Sequence, residues 1–320
     1  SNVPKCEPNL NWSAIIRHMI LLTGGTGFIG RHLVKTLVDS GEQVRLLLKP
    51  SAISPDFPKG ISVEVAVCSL NDQRGVRAAL KDVTQVFHLA GAERKGSRGN
   101  LNQVDVEGTS TLVNAAKDTK VERIYYLSHH GAARASAYPV LKAKAIAENW
   151  IINSGIPYTI VRTGSIFGPG DQFSVPLARL IKLTPFFFFM PAKGHVLLQP
   201  LWIDDLINVI MLMMEDPKSV NRIYSIGGME ALPYREIVKL VMKKTGFKRM
   251  IIPISPATLR TLTMWIDQIY PKFPISIFWL DHLAEDRTAN LDSLPREFGI
   301  MPARFHQHLD YLPTEIRKTN

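Results

Sequence analysis

A glycine-rich turn between a short apolar strand and an amphipathic helix is the feature that most constrains the fold of this chain. Residues 19–23 are apolar enough to predict a buried parallel strand. The segment TGGTGFIG follows, and residues 31–40 then have apolar positions at helical spacing. Residues 43–48 predict a second buried strand. A strand, a glycine turn, a helix and a strand within about thirty residues predict an α/β fold with a doubly wound parallel sheet.

Each glycine in this turn has a predicted physical role. Gly24 permits a tight turn, Gly27 lets the backbone approach a pyrophosphate, and Gly30 lets the helix pack closely on the strand. The first turn of the helix adds free N–H groups and the positive end of its dipole. The predicted phosphate-binding loop of a dinucleotide site therefore comprises Gly24, Gly25, Thr26, Gly27, Phe28, Ile29 and Gly30.

Length, charge and composition exclude several classes of protein. The chain has 320 residues, of which 46% are hydrophobic, which predicts about two domains. Its net charge of +10 comes from scattered residues, so no nucleic-acid-binding protein is expected. The longest apolar runs, residues 186–190 and 209–214, are too short for a membrane-spanning helix, which needs about 20 residues. The two cysteines, Cys6 and Cys68, predict no disulfide framework and a reducing, cytoplasmic location.

The glycine loop and several later segments resemble the extended and atypical short-chain dehydrogenase/reductase superfamily. The loop has the spacing Gly-x-x-Gly-x-x-Gly, and the resemblance continues through VFHLAG at residues 86–91, RIYYLS at 123–128, YTIVRTGSIFG at 158–168 and QPLWIDDL at 199–206. It covers nearly all of the chain from Met19 onward. The most similar group is the NAD-dependent epimerase/dehydratase group that contains the nucleotide-binding accessory subunit of respiratory complex I.

The resemblance implies a domain organisation and a set of cofactor contacts. After an N-terminal extension at residues 1–18, residues 19–165 are expected to form a Rossmann domain. Residues 166–320 are expected to form mainly a smaller, discontinuous substrate lobe, with residues 223–228 returning to the sheet. Thr163 stands where the family has proline, and Ser69-Leu70 replaces a usual Asp-Leu pair. Beyond the loop, the implied cofactor contacts are Lys49, Ser69, Leu70, Leu89, Ala90, Gly91, Lys144, Thr163 and Ile166.

The end of the second strand indicates which cofactor is bound. NAD-binding folds place an acid about 20 residues after the glycines to accept the ribose 2′-hydroxyl, whereas a basic residue suits a 2′-phosphate. This strand ends in Leu48-Lys49-Pro50, and no carboxylate follows before Asp56. Lys49 therefore favours NADP(H), with NAD(H) as the second choice.

A Tyr-x-x-x-Lys pair is the proton-transfer device of the resembled superfamily, and this chain offers two registers for it. Tyr138 and Lys142 have the required spacing, which on a helix brings an ammonium near the phenol and lowers its pKa. Lys144 competes, because Glu148 follows it at the spacing usual in the family, and the tyrosine position is then Val140. The two lysines point about 200° apart on a helix. Both registers stay open, with Lys144 favoured for binding the nicotinamide ribose.

Ser128, at the carboxyl end of the predicted fifth strand, is the remaining candidate catalytic residue. His129 and His130 follow it and are expected to be solvated or hydrogen-bonded loop residues, although a histidine here could act as an acid or base. His306 and His308 lack a nearby third ligand in the sequence, so no metal site is predicted.

Two aromatic segments indicate the kind of partner that the lobe contacts. One contains the phenylalanines of residues 186–189, and the other spans residues 265–280. They predict contact with a fairly apolar small molecule, or peripheral contact of residues 186–189 with a membrane or a protein. The predicted function is an NAD(P)-dependent oxidoreductase or epimerase/dehydratase-like enzyme acting on such a substrate. The alternative is a nucleotide-binding assembly or regulatory module without turnover.

Overall fold

The computed structural model describes residues 19–51, 60–269 and 273–317. The predicted extension at residues 1–18, Asp56 and Tyr270 lie outside the described residues. Within these ranges the strands are β1 (Met19–Thr23), β2 (Gln43–Leu48), β3 (Glu64–Val67), β4 (Gln85–His88), β5 (Arg123–His129), β6 (Tyr158–Thr163), β7 (Ile166–Phe167), β8 (Phe187–Pro191), β9 (Leu197–Leu198), β10 (Leu201–Trp202), β11 (Arg222–Ser225), β12 (Leu232–Pro233) and β13 (Met250–Ile254). The helices are α1 (Phe28–Asp39), α2 (Gln73–Ala79), α3 (Gly108–Ala116), α4 (Pro139–Ile152), α5 (Ser174–Leu183), α6 (Ile203–Glu215), α7 (Tyr234–Thr245), α8 (Pro256–Ile269), α9 (Ile277–Asp281), α10 (Ser293–Phe298) and α11 (Leu312–Arg317).

Seven strands form one parallel sheet at the centre of the described chain. Its order is β11–β6–β5–β4–β1–β2–β3, and every neighbouring pair is parallel. The order reverses between β1 and β4, which is the switch point where such sheets bind ligands. The predicted doubly wound α/β fold is confirmed.

Helices cover both faces of the sheet because each has an apolar stripe at helical spacing. Leu33 and Leu37 of α1 pack with Ile207 of α6 against one face. Val76 of α2 and Leu112 of α3 pack with α4 against the other. Both faces of the central strands β1, β4, β5 and β6 are therefore buried, which explains their apolar sequences, whereas the edge strands β3 and β11 are mostly exposed.

The chain leaves the sheet after β6 and returns to it at β11. The register places Arg222 beside Thr159 and Ser225 beside Arg162. The remaining segments form a lobe with its own core, to which α5, β8, α7 and α11 contribute the buried side chains Leu177, Ile181, Phe188, Ile237 and Leu312.

The phenylalanine run lies at the surface of this lobe and forms most of a strand. β8 pairs with β13, and strand alternation buries Phe188 at 1% exposure while Phe187 and Phe189 are each 44% exposed. Phe186 precedes the strand and is 73% exposed. Within the described ranges, every helix is too short or too polar to span a membrane. Peripheral contact through the run and the cytoplasmic location stay predictions.

Candidate functional site

A cleft of about 1450 Å³ opens at the carboxyl ends of β1, β2, β4 and β5, next to the switch point. It brings together most of the predicted cofactor residues. Those that line it are Gly24, Thr26, Gly27, Phe28, Ile29, Gly30, Lys49, Ser69, Leu70, Leu89, Ala90, Gly91, Lys144 and Ile166. Of the remaining predicted site residues, the lining does not include Gly25, Ser128, Tyr138, Lys142 and Thr163.

The glycine loop has a shape that side chains would destroy. Gly24 has a φ of +76°, and a Cβ there would lie 2.7 Å from the backbone of Leu89. A Cβ on Gly30 would lie 2.3 Å from the Gly24 carbonyl oxygen, which also accepts a hydrogen bond of 2.9 Å from the Gly27 N–H. No described side chain caps the N-terminus of α1, which begins at Phe28. The first N–H groups of α1 are therefore available to phosphate oxygens at the cleft.

Two lysines lie together at one end of the cleft. Lys49 follows β2, and Lys95 belongs to the short helical segment Glu93–Arg98. Both side chains are exposed at the cleft, and the positive charge of Lys49 lowers the pKa of Lys95. Among the described residues that line the cleft, Glu93 is the sole carboxylate. The cleft therefore offers two cations beside the end of β2, and its one described carboxylate, Glu93, is already bonded to His129 and His282.

Asn71 lies beside Ser69 and Leu70 in the cleft wall. Its Oδ1 atom is buried without a hydrogen-bond partner among the described residues. A carboxamide at this position can both accept hydrogen bonds from a base edge and donate them to it. The family carboxylate that is missing here could only accept. Asn71 was not predicted from the sequence.

Lys144 is the lysine that the structure places in the cleft wall. It lies in α4 and is 6% exposed, whereas Lys142 is exposed to solvent outside the cleft lining. Val140 is buried at 3% exposure, and Tyr138 is a half-buried residue that precedes the first turn of α4. The two lysines thus point in different directions, as their spacing requires.

Buried groups surround the Lys144 ammonium. Its Nζ atom lies 3.5 Å from Asp105 Oδ1, donates a hydrogen bond of 3.4 Å to the Leu127 carbonyl, and lies 5.1 Å from the centre of the Tyr126 ring. Burial acts to lower the pKa of Lys144, but Tyr126, Asp105 and Glu93 together raise it above its usual value. Burial raises the pKa of Tyr126 to about 12, so its phenol is neutral near pH 7. Asp105 is therefore the contacting anion that keeps Lys144 charged.

Asp105 lies in a π-helical turn, Asn102–Glu107, just before α3. Its other oxygen accepts a hydrogen bond of 2.9 Å from the Ala92 N–H. Such turns often occur at functional sites, because the extra residue redirects a side chain. Here the turn lets one carboxylate bind both Lys144 and the loop that follows β4.

Glu148, which marked the Lys144 register, has a packing role in the structure. It is 3% exposed, and its carboxylate accepts a hydrogen bond of 2.9 Å from Arg162 Nε. Since Arg162 belongs to β6, this pair ties α4 to the sheet. The pair therefore helps to fix the rotation of α4 that directs Lys144 into the cleft.

The end of β5 presents His129, rather than Ser128, to the cleft. Successive side chains of a strand point to opposite faces. Leu127 and His129 line the cleft, whereas Ser128 is fully buried and its Oγ atom has no hydrogen-bond partner among the described residues. The catalytic roles predicted for Ser128, Tyr138, Lys142 and Lys144 stay predictions.

Glu93, His129 and His282 converge in the wall of the cleft. His129 Nε2 donates a hydrogen bond of 2.8 Å to Glu93 Oε2, and His282 Nε2 donates to Oε1 of the same carboxylate. Burial acts to raise the pKa of Glu93, but the two imidazoles hold it well below its usual range. Burial also lowers the pKa of His129. The ligand atoms of the three side chains lie within 4.8 Å of one another, so the group can hold a metal ion.

The lobe closes the cleft with apolar side chains. Phe173 and Pro176 come from the start of α5 and its N-terminal flank, while Phe273, Trp279 and Leu283 come from the C-terminal segments. Phe273 and Trp279 belong to the second aromatic stretch noted in the sequence. An apolar surface thus faces the same space as Lys144 and the glycine loop.

Comparison with known proteins finds a family match for just under half of the chain. Residues 24–172 match a family model described as NAD(P)H-binding. This range contains the glycine loop, Lys49 and Lys144, and it ends where the lobe begins. The predicted NAD(P)-binding character is confirmed, and the choice between NADP and NAD is not determined by this match.

Similar proteins cover most of the chain. The ceramide reductase of Caulobacter vibrioides is 23% identical over 93% of this chain and 87% of its own. The mitochondrial NADH dehydrogenase [ubiquinone] 1 alpha subcomplex subunit 9 of Arabidopsis thaliana is 23% identical over 92% of this chain and 74% of its own. A structure of Thermus thermophilus UDP-glucose 4-epimerase in complex with NAD is 19% identical, has a TM-score of 0.69 and covers 94% of this chain and 100% of that one. The predicted resemblance is confirmed.

Proposed function

We propose that this chain, which contains an NAD(P)H-binding domain and resembles the extended short-chain dehydrogenases/reductases along its length, is an NADP(H)-dependent oxidoreductase acting on a fairly apolar substrate. One observation carries the proposal. A single cleft runs from the glycine loop past Lys144 to the apolar wall formed by Phe173, Phe273 and Trp279. A cofactor and an apolar substrate would therefore share one space.

The chain's own residues suit the parts of a dinucleotide. The tight packing around Gly24 and Gly30 forms a cradle for a pyrophosphate, and α1 directs its N–H groups there. Lys144 supports binding of the nicotinamide ribose, because its ammonium is fixed beside Asp105 and can donate to hydroxyl groups. When bound, the nicotinamide supplies or accepts a hydride.

Lys49 and Lys95 support NADP(H) over NAD(H). A dianionic phosphate bound between two ammonium groups relieves their repulsion and accepts charge-assisted hydrogen bonds from both. The pKa of Lys95, lowered by Lys49, is the sign of that repulsion. The 2′-hydroxyl of NAD(H) would find fewer hydrogen-bond acceptors, since no described carboxylate other than Glu93 lines the cleft.

The apolar wall supports a substrate that combines an apolar chain with a carbonyl or hydroxyl group. Rings such as Phe273 and Trp279 contribute contact area without a charge that would require a polar partner. The similar protein named ceramide reductase acts, by its name, on a molecule of that kind. For this chain we propose the same class of substrate, an apolar chain with a carbonyl or hydroxyl group, and not ceramide itself.

The experiment measures cofactor binding and hydride transfer with the full chain. Calorimetric titration with NADPH and NADH gives the affinities. NADPH oxidation at 340 nm is then followed with 2-tridecanone and, as the short analogue, acetone. We expect saturable turnover with the long ketone alone, and a rise in KM for it in Trp279→Ala. Tight NADPH binding without reduction of any long-chain ketone or aldehyde by NADPH, and without oxidation of any long-chain alcohol by NADP⁺, would contradict an oxidoreductase.

One observation favours the second candidate, a nucleotide-binding assembly or regulatory module. In the Lys144 register the tyrosine position is the buried Val140, and Tyr138 does not line the cleft. This geometry supports the view that an oxidoreductase with this cleft uses a proton donor other than a Tyr–Lys pair. Tyr138→Phe tests this point: it should change neither NADPH affinity nor turnover. A fall in turnover of about 10²- to 10⁴-fold would restore Tyr138 as the acid.

A further inference from the structure

We propose that Glu93, His129 and His282 form a binding site for a divalent cation of the zinc class in the wall of the cleft. The three side chains come from separate parts of the chain: the segment after β4, the end of β5 and the residue after α9. Their ligand atoms nevertheless converge within 4.8 Å. Two imidazole nitrogens and one carboxylate form a set used at catalytic zinc sites.

The distances between the ligand atoms suit a small ion. In a tetrahedral zinc site with bonds of about 2.0–2.1 Å, neighbouring ligand atoms lie about 3.3 Å apart. His129 Nε2 and Glu93 Oε2 are now 2.8 Å apart, at hydrogen-bonding distance. Small side-chain rotations would replace the two N–H donors by one ion. Each imidazole would then lose its Nε2 proton to water and take up one on Nδ1, which leaves it neutral, as a metal-ligating histidine is.

The group is partly open, and it opens to the cleft. The side chains of His129, His282 and Glu93 are 19%, 20% and 27% exposed, and all three line the cleft. Three protein ligands then leave the fourth position of a tetrahedral ion to water or to another molecule in the cleft. A purely structural site would instead be closed by a fourth side chain.

The charges around the group favour a cation. Glu93 is the sole carboxylate among the described residues that line the cleft. Lys144 and Arg287 are nearby positive charges. Asp105 Oδ1 lies 3.5 Å from Lys144 Nζ and neutralises that ammonium, and Arg287 donates hydrogen bonds to the carbonyls of His130 and Asp281. An imidazole–carboxylate set favours zinc, cobalt, nickel or copper over magnesium and calcium, which prefer oxygen ligands alone.

The proposed ion would join the lobe to the Rossmann domain, because His282 belongs to the lobe and His129 to the sheet. Ion binding does not rest on the proposed oxidoreductase function. A chemical role for the ion does rest on it: the open position lies in the same cleft as Lys144, where a bound ion can polarise a substrate carbonyl.

The test titrates the chelator-treated full chain with Co²⁺ and then displaces it with Zn²⁺. We expect one equivalent of Co²⁺ with the visible absorption of a tetrahedral nitrogen–oxygen site. His282→Ala and Glu93→Gln should each weaken Co²⁺ binding at least about 100-fold, since each removes a ligand. The exposed histidines His195 and His306 supply the matched controls, and alanine there should change the affinity less than twofold.

Thermal melting is the second readout and needs neither cofactor nor turnover. Zn²⁺ should raise the melting temperature of the wild type and of both control variants, and not that of His282→Ala. If His282→Ala does not fold, Glu93→Gln answers the same question. Failure of the oxidoreductase proposal would leave these results unchanged, so the two failures are distinguishable.

Three results would overturn the proposal. One is the absence of stoichiometric Co²⁺ binding to the folded wild type. Another is equal Co²⁺ affinity in the wild type and both ligand variants. The third is a thiolate-to-cobalt charge-transfer band that disappears in Cys68→Ser, because the ion would then be bound by the cysteine that also lines the cleft.

Discussion

Lys144 Nζ lies 3.5 Å from Asp105 Oδ1, and the two side chains are only 7% and 1% exposed. A buried ion pair of this kind fixes the direction of the ammonium, because moving it would leave Asp105 uncompensated. The resembled superfamily pairs its lysine with a tyrosine one helical turn earlier, whereas here a carboxylate from another helix lies beside the lysine. The cation at the centre of the cleft is therefore held in place without a neighbouring phenol from α4.

The two lysines of α4 give a matched pair of variants. Lys144→Met should weaken NADPH binding about 10- to 100-fold, the effect of losing a charged hydrogen bond. Lys142→Met should change it less than twofold, since Lys142 is exposed outside the cleft lining. Calorimetry gives the affinities.

A stability control separates binding from folding in this experiment. Lys144→Met alone leaves Asp105 buried and unpaired, which should lower the free energy of unfolding by about 3–5 kcal/mol. The double variant Lys144→Met/Asp105→Asn should recover most of that stability but not the affinity. A larger effect of Lys142→Met on NADPH binding would assign the ribose to the other register.

Lys49 and Lys95, the two lysines at one end of the cleft, should determine cofactor preference. Lys49→Ala and Lys95→Ala should each weaken NADPH binding by roughly 1–3 kcal/mol, the range for a lost charged hydrogen bond, and leave NADH binding within twofold. Lys117→Ala, an exposed lysine at the end of α3, is the control for the loss of one positive charge. Equal losses for both dinucleotides, or tighter binding of NADH by the wild type, would contradict the assignment.

The glycine loop predicts a loss of binding without a loss of folding. Gly27 has an ordinary φ of −73°, and its Cβ would approach only the Gly24 carbonyl oxygen, at 3.1 Å. Gly27→Val should therefore fold with a similar circular dichroism spectrum while its side chain occupies the space of the pyrophosphate. NADPH affinity should fall below detection by calorimetry. Thr36→Val adds the same side chain on the same helix, outside the cleft lining, and should bind normally.

His88 predicts a pH dependence of stability. It is fully buried between two threonines, with Thr23 Oγ1 2.7 Å from Nδ1 and Thr109 Oγ1 2.8 Å from Nε2. Burial, assisted by the charge of Lys144, lowers its pKa from 6.5 to about 3. Below pH 6.5 the unfolded chain therefore takes up a proton that the folded chain refuses, and stability falls as the pH falls towards 3.

The measurement compares the wild type with His88→Gln by denaturant unfolding between pH 7 and pH 5. Over this range the wild type should lose about 2 kcal/mol more than the variant, because one proton-binding group has been removed. Parallel curves for the two proteins would mean that His88 titrates normally in the folded state.

The fold and the glycine loop are predictable because local sequence determines them. Continuous apolar strands, a helix of period 3.6 and a turn that tolerates no Cβ at Gly24 all lie within neighbouring residues. Lys49 could be predicted as a cofactor contact from its position after the second strand alone. These signals require no knowledge of how distant segments pack.

Of the other site residues, some could be predicted from strand alternation, and the rest depend on tertiary packing. Strand alternation alone places His129, and not Ser128, on the face of Leu127, so this residue could have been predicted. Glu93 and His282 are 189 residues apart, and their contact exists only because the lobe packs on the Rossmann domain. The phenylalanines of residues 186–189 also follow strand alternation. Their pairing with β13, about 60 residues later, could not be derived from the run itself.

The return of the chain at β11 has a consequence for how the protein can be divided. Cutting after residue 165 would leave β6 with an unpaired row of N–H and C=O groups along Thr159 to Arg162. An exposed edge of this kind is a template for pairing with other chains. The dinucleotide-binding half expressed by itself should therefore self-associate through β6, and a fragment intended to stay monomeric needs residues 222–225 fused back beside that strand.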